Sequence, residues 1–316
     1  MKLKPSLITL LASTLLAQAG TEPAIQTAPA EGSVFDNALR PISNPTLFDL
    51  PLARTQIHAI YMNHQFPGSI ELANGGGDLP LGGEANIVAV QFEYALSDTF
   101  SIVAAKDGYA KVNFDNTLND ADGFANIGAG VKWVFHKNEA TGYAAALTTT
   151  VEFPTGNTDI FQGMGDGLVN VMVSNLKIAD RWQFASNIGI QVPFDNDVQA
   201  TMGFASAHAS YRVTDWFVPL IEMNWFHVLD PADQGLRFNG QAGGAVPNLV
   251  GFEGGDLFNI GAANSGENRD FVTLAIGARF PINDMLTLGA AYEFPLTDNE
   301  NSLMEDRITI DAVIRF

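Results

Sequence analysis

Two residues in the middle of the chain have the types and spacing for chemistry. His208 and Ser210, in SAHASYR (206–212), stand two apart. On an extended strand that spacing puts both on one face. There an imidazole could take the proton of a hydroxyl nucleophile. Ala205, Ala207, Ala209 and Tyr211 form the apolar face, so His208 and Ser210 turn the other way. They read as polar residues lining an interior, and no catalytic residue is assigned. A second group consists of charges in the middle of alternating runs: Lys132, Glu152, Arg212, Glu222, Arg279 and Glu293, with Arg307, Asp311 and Arg315. Both signs are present. A charge in a narrow interior is costly unless paired, so opposite charges on neighbouring strands would brace the wall. In an open bore the same groups would guide a polar solute. Arg279 and Glu293 fall on adjacent strands and are expected to pair.

Other chemistries find little support. There is no cysteine, which removes disulfides, thiolate nucleophiles and thiolate metal sites. GMGDG (163–167) is followed by no Lys-Ser/Thr and no helix, so it is not a phosphate loop. Asp256, Glu267 and Asp270 lack the fixed oxygen-ligand spacing of a calcium loop. No metal or cofactor is expected. A net charge of −19 argues against nucleic acid as a partner.

The elements that must carry these residues alternate with a period of two. RITIDAVIRF (307–316) puts Ile308, Ile310, Ala312, Ile314 and Phe316 on one face. FANIGAGVKWVF (124–135), YAAALTTTVEF (143–153), WQFASNIGIQV (182–192), DFVTLAIGARF (270–280) and LTLGAAYEF (286–294) repeat the plan. The apolar faces begin or end on aromatics, as at membrane–water interfaces. The runs exceed the roughly 5–6 residues of ordinary strands and suit a tilted bilayer crossing. LSDTF, IADRW, VTDWF and INDML each close one run, offer an Asp and reopen the next, as tight turns do. Longer connections alternate with them. The reading is an all-β, transmembrane, antiparallel up-and-down β-barrel of about twelve strands over 54–316. A bulge is expected at Pro219, inside the ninth strand.

Two segments precede the barrel. Residues 1–19 combine Lys2 and Lys4, an apolar stretch and Ala-Gln-Ala, the plan of a secretory signal peptide. Residues 20–53 carry prolines at 23, 29, 41, 45 and 51 and read as an irregular periplasmic N-terminal segment or partial plug. The connection at 230–268 holds Leu249, Phe252 and Phe258, too much apolar surface for a loop in water. It is expected to fold over the mouth and narrow it.

The final strand, ending on Phe316, resembles the signal read by the barrel-assembly machinery of outer membranes. DGFANIGAGVKWVF (122–135), VEFPTGN (151–157), GDG (165–167) and YEFPL (292–296) resemble the outer-membrane transporters grouped as the MetA-pathway of phenol degradation. That resemblance implies a monomeric barrel in the outer membrane that passes small solutes, apolar or aromatic compounds among them. The His-x-Ser pair is similar to that of outer-membrane phospholipases, but their Ser-Asn-Gly continuation is absent. The expected partners are outer-membrane lipid, the assembly machinery and a small solute. A closed barrel used for structure or surface recognition is the alternative.

Overall fold

The computed structural model describes residues 32–71, 77–233, 238–241, 245–246, 257, 269–298 and 303–316. The signal segment read over 1–19 lies outside the described residues. The chain divides into two units, 1–33 and 34–316, and the second holds the barrel.

Twelve antiparallel staves form the wall: β1 (Gln56–Gln65), β2 (Gly83–Ser97), β3 (Phe100–Lys106, carried on by Tyr109–Phe114), β4 (Ala121–Phe124, carried on by Ile127–Asn138), β5 (Tyr143–Phe153), β6 (Leu168–Ala179), β7 (Trp182–Pro193), β8 (Thr201–Tyr211), β9 (Val218–Asp230), β10 (Asp270–Pro281), β11 (Leu286–Pro295) and β12 (Asp306–Arg315). Each pairs with its neighbours in chain order. β1 closes the ring: Ile60 lies opposite Asp311 of β12 on one side and Ala89 of β2 on the other. The protein is therefore a closed twelve-stranded barrel.

Burial on the staves is inverted relative to a soluble sheet. On β7, Ile188 is 61% exposed while its neighbour Asn187 is 4% exposed. Trp182 and Phe184 are likewise exposed, and Gln183 and Gln191 are buried. The same alternation holds on β9, where Ile221, Met223 and Trp225 face out and Glu222 and Asn224 face in. In water each such exposed side chain would forgo about 1.5–3 kcal/mol of burial. A hydrocarbon belt removes that cost. This decides between lipid and a sandwich core as partner of the oily face.

Short turns join β2–β3, β4–β5, β6–β7, β8–β9 and β10–β11 at one end, where both barrel termini also lie. Long connections occupy the other end, the arrangement of outer-membrane barrels. The bulge expected at Pro219 is not formed. Pro219 lies in register opposite Ala278, and on its other side pairing stops at Leu220, opposite Ser210. The missing N–H falls where the ladder has ended. The shift between β8 and β9 comes at their other end, between Thr201 and Met202.

Inside the ring lies an irregular strap, residues 34–54. Ala38, Ile42 and Phe48 are completely buried, and Phe35, Leu47, Leu50 and Leu52 nearly so. The strap rises from the short-turn end and returns to it. The Arg54 guanidinium donates to Ala38 O at 2.9 Å and Phe35 O at 2.6 Å, tying the returning leg to the rising one. Its prolines, Pro41, Pro45 and Pro51, explain why it does not join the sheet. Each lacks a backbone donor, which leaves the strap rich in carbonyl acceptors.

Candidate functional site: the lumen

The lumen wall supplies the donors that the strap lacks. Arg279, on β10, donates from Nε to Arg40 O at 2.7 Å and from Nη2 to Pro41 O at 2.9 Å. Lys132, on β4, donates to Leu52 O at 3.2 Å, and Gln91, on β2, to Pro45 O at 3.1 Å. Asn187 donates to Leu47 O. Where the strap does offer N–H groups, Glu222 meets them, accepting from Ile42 at 3.0 Å and Ser43 at 2.7 Å.

The charges balance through the same contacts. Lys132 pairs with Glu93 at 2.9 Å and with Asp49 of the strap. Arg40 of the strap lies 3.4 Å from Asp49 and donates to Gln91 at 2.9 Å. Arg279 also holds Asp311, whose other contact is His58 Nε2 at 2.6 Å. His208 Nδ1 lies 2.8 Å from Glu222. Removing one partner of such a buried pair costs about 3–5 kcal/mol, because the other charge is left in a dry interior. Beside the strap, Arg40 Nε, Thr148 Oγ1 and Asn170 Oδ1 have no protein partner among the described residues. They border a cavity of about 30 Å³. That holds a water, not a solute.

The expected pairing of Arg279 with Glu293 is not made. Register places Glu293 opposite Ala275, while Arg279 lies opposite Gly289. Gly289 in turn lies opposite Asp311 on β12. With no side chain at 289, Arg279 reaches across the intervening stave to Asp311. A Cβ at 289 would run into both groups. Glu293 accepts instead from Thr273 at 2.5 Å and Asn224 at 3.0 Å, and lies 3.5 Å from Arg307.

The remaining predicted residues divide. Lys132, Glu152, His208, Glu222, Arg279 and Glu293 are all buried on the inward face. Arg212 lies beyond the end of β8, at the short-turn rim, and donates to Asn37 O at 3.0 Å. Glu152 stands apart from the strap. It pairs with Lys106 at 2.6 Å and accepts from Asn126 at 2.8 Å. Asn126 Oδ1 in turn accepts from Gly156 N at 3.0 Å and Gly163 N at 2.8 Å. This node folds the connection between β5 and β6 into the barrel mouth.

That connection forms a constriction the sequence reading missed. Ile160, Phe161 and Met164 are buried against Ile60, Met62, Phe66, Ile87, Val112 and Phe114. Leu249, Phe252 and Phe258 lie outside the described residues. Leu257, from the same connection, packs partly against this cluster. The signal for the inward fold was available in GMGDG. Gly163, Gly165 and Gly167 all take positive φ, and these tight turns bring the chain back over the bore.

The outer half of the lumen holds two apolar clusters beside the paired charges of Glu152 with Lys106 and Glu293 with Arg307. Leu47, at the strap's tip, meets Met172, Met202, Phe204, Phe226, Val228, Phe271 and Met304. The second cluster, with Phe161, continues this lining toward the mouth. Outside lie acids. Asp197 has its pKa raised by Asp195, by partial desolvation, and by Asp233 and Asp166.

No family model matches the chain, and no curated protein matches it. Solved structures do. An outer-membrane channel from Pseudomonas putida F1 is 15% identical, with a TM-score of 0.58, over 92% of this chain and 100% of that one. The NanC porin is 6% identical with a TM-score of 0.47, over 83% of this chain and 100% of that one. The KdgM porin is 6% identical with a TM-score of 0.44, over 83% of this chain and 99% of that one. At this identity the likeness to the first shows a shared fold. That channel is of the phenol-degradation MetA type, so the resemblance read in the sequence has its counterpart in the architecture. Closed ring, exposed apolar belt and fold together make this an outer-membrane barrel.

Proposed function

We propose that the protein is a channel for small apolar or aromatic solutes, shut at its inner end by the strap. The apolar clusters around the strap tip and under the mouth carry this reading. A hydrated sugar or ion would lose water contacts against the Met and Phe side chains of these clusters. Here four staves turn Met172, Met202, Phe204, Phe226, Val228 and Phe271 inward around the strap tip. A solute of matching character would gain about 25 cal/mol for each Å² of apolar surface it buries there. Passage then requires the strap to withdraw from the polar half. The strap's many bonds also favour the second reading, a permanently closed barrel with a structural or recognition role.

Permeation into proteoliposomes separates the two. The channel reading predicts that a small aromatic compound enters faster than through protein-free vesicles, and that a sugar of similar size is retained. Equal rates for the aromatic compound with and without protein would leave the closed-barrel reading standing. The C-terminal strand and Phe316 are proposed to carry the assembly signal; Phe316→Ala should lower the yield of folded barrel in membranes, read by gel migration with and without heating.

A further inference from the structure

A constellation that the sequence left at two members is completed by the fold. Ser210 Oγ lies 2.9 Å from His208 Nε2. His208 Nδ1 lies 2.8 Å from Glu222 Oε1. Hydroxyl, imidazole and orienting carboxylate thus stand in the geometry by which a serine is activated. Register makes this possible: His208 on β8 lies directly opposite Glu222 on β9.

A donor stands beside them. Gln183 lies directly opposite Ser210 in the ladder between β7 and β8. Its amide nitrogen is 3.4 Å from His208 Nε2 and donates to Leu39 O of the strap at 2.6 Å. Leu39 N donates back to Gln183 Oε1 at 2.8 Å. A peptide carbonyl of the strap therefore occupies the amide donor of Gln183 that a substrate carbonyl would need. Ala38 and Phe48 of the strap, in the same cluster, pack with Leu176 and Ala185 of the wall. Ala185 is the residue opposite His208. The strap thus presents a carbonyl and apolar groups together, the two features of an acyl substrate.

We propose that Ser210 is an acyl-transfer nucleophile, masked by the strap, whose substrate is a small carboxylic ester with an apolar acyl group. Ser210 Oγ attacks the ester carbonyl carbon and its proton passes to His208 Nε2. The ester C–O bond breaks and His208 returns that proton to the departing alkoxide. Water then attacks the acyl-serine, giving its proton to His208, and the released carboxylic acid leaves Ser210 reprotonated. Gln183 Nε2 holds the carbonyl oxygen as charge develops on it. Glu222 is a positioning residue that keeps the imidazole turned toward Ser210. The proposal rests on strap withdrawal, as the channel reading does.

The test uses the full chain in detergent and a fluorophosphonate probe, which loses fluoride as it bonds to an activated serine. Two strap substitutions at side chains that do not touch these groups loosen the mask: Arg40→Ala, which removes the contacts to Gln91 and Asp49, and Asp49→Asn, which weakens those to Lys132 and Arg40. In whichever variant keeps the heat-sensitive gel migration of a folded barrel, labelling should exceed that of the wild type and map to Ser210. Adding Ser210→Ala should abolish it, and His208→Ala should slow it by about 10²–10⁴-fold. Glu222→Gln should displace the pH profile of labelling, which a packing role alone would leave in place. Aromatic-solute permeation is measured on the same variants. Permeation without labelling at Ser210 would overturn this proposal and leave the channel reading intact. Absence of both would overturn both, and labelling without permeation would support this site and count against the channel.

Discussion

The inner and outer halves of the lumen differ in what holds them: strap-to-wall hydrogen bonds in one, large apolar clusters in the other. Toward the short turns, Lys132, Arg279, Glu222 and Asp311 are buried and each is matched, much of the matching done by the strap. Toward the long connections, Met, Phe, Ile and Val form two clusters that need no particular partner, beside the wall-borne pairs Glu152–Lys106 and Glu293–Arg307. The contrast shows how a barrel can be both tightly closed and adaptable. Directional bonds define one position for the strap and penalise every other. Apolar contact is non-directional, so it tolerates solutes of varied shape.

The contrast is most exposed to disproof at Arg279. Arg279→Met removes the donor to two strap carbonyls and leaves Asp311 buried beside His58. A loss of about 3–5 kcal/mol is expected in equilibrium urea unfolding. A loss below about 1 kcal/mol, the value of an exposed pair, would show that strap and wall are not coupled. Gly289→Val tests the reach of Arg279 and should cost about 1–3 kcal/mol by crowding the Arg279–Asp311 contact. The same change at Ala290, on the opposite face of β11, should be milder. In the outer half, Met202→Gln should leave the strap in place but slow aromatic-solute entry about tenfold, equivalent to about 1.4 kcal/mol of lost apolar contact. Unchanged entry would mean that the apolar lining does not set selectivity.

The smallest effect belongs to the acidic mouth. Because its acidic neighbours raise the pKa of Asp197, it should take up a proton before an ordinary aspartate as pH falls. Cation preference, read as reversal potential in planar bilayers, should be greatest near neutral pH and decline on acidification. Asp197→Asn should remove the earliest part of that decline. A preference for anions at neutral pH would contradict the charge reading.

The wall was legible in the sequence because a lipid-facing strand repeats one physical demand every second residue. Alternations such as Trp182, Phe184 and Ile188 against Gln183 and Asn187 survive intact in the structure. Inward facing was legible for the same reason at Lys132, Glu152 and Glu222. What alternation does not encode is which inward residue meets which. The Arg279–Asp311 pair depends on register and on the missing side chain of Gly289, two staves' worth of information. The third member beside His208 and Ser210 sits on another strand and is likewise set by register. Proline density in 34–54 predicts irregular backbone and no more. That the strap lies within the ring follows from surplus carbonyls meeting wall donors, a match visible only once both are in space. Apolar composition points to 230–268 as a cover of the mouth, and its Leu257 packs partly against the mouth cluster; Ile160, Phe161 and Met164 also enter it, folded inward by the turns at Gly163, Gly165 and Gly167.

The most direct measurement fixes the strap. Asn44 Nδ2 of the strap lies 3.4 Å from Ser206 Oγ of β8, and the chain has no cysteine of its own. Asn44→Cys with Ser206→Cys, bridged by a short bis-thiol-reactive linker, would pin strap to wall. If the strap is the gate, aromatic-solute permeation falls to the protein-free rate on bridging and is normal in the unbridged double variant. Permeation that is the same with the bridge formed would contradict a gating strap.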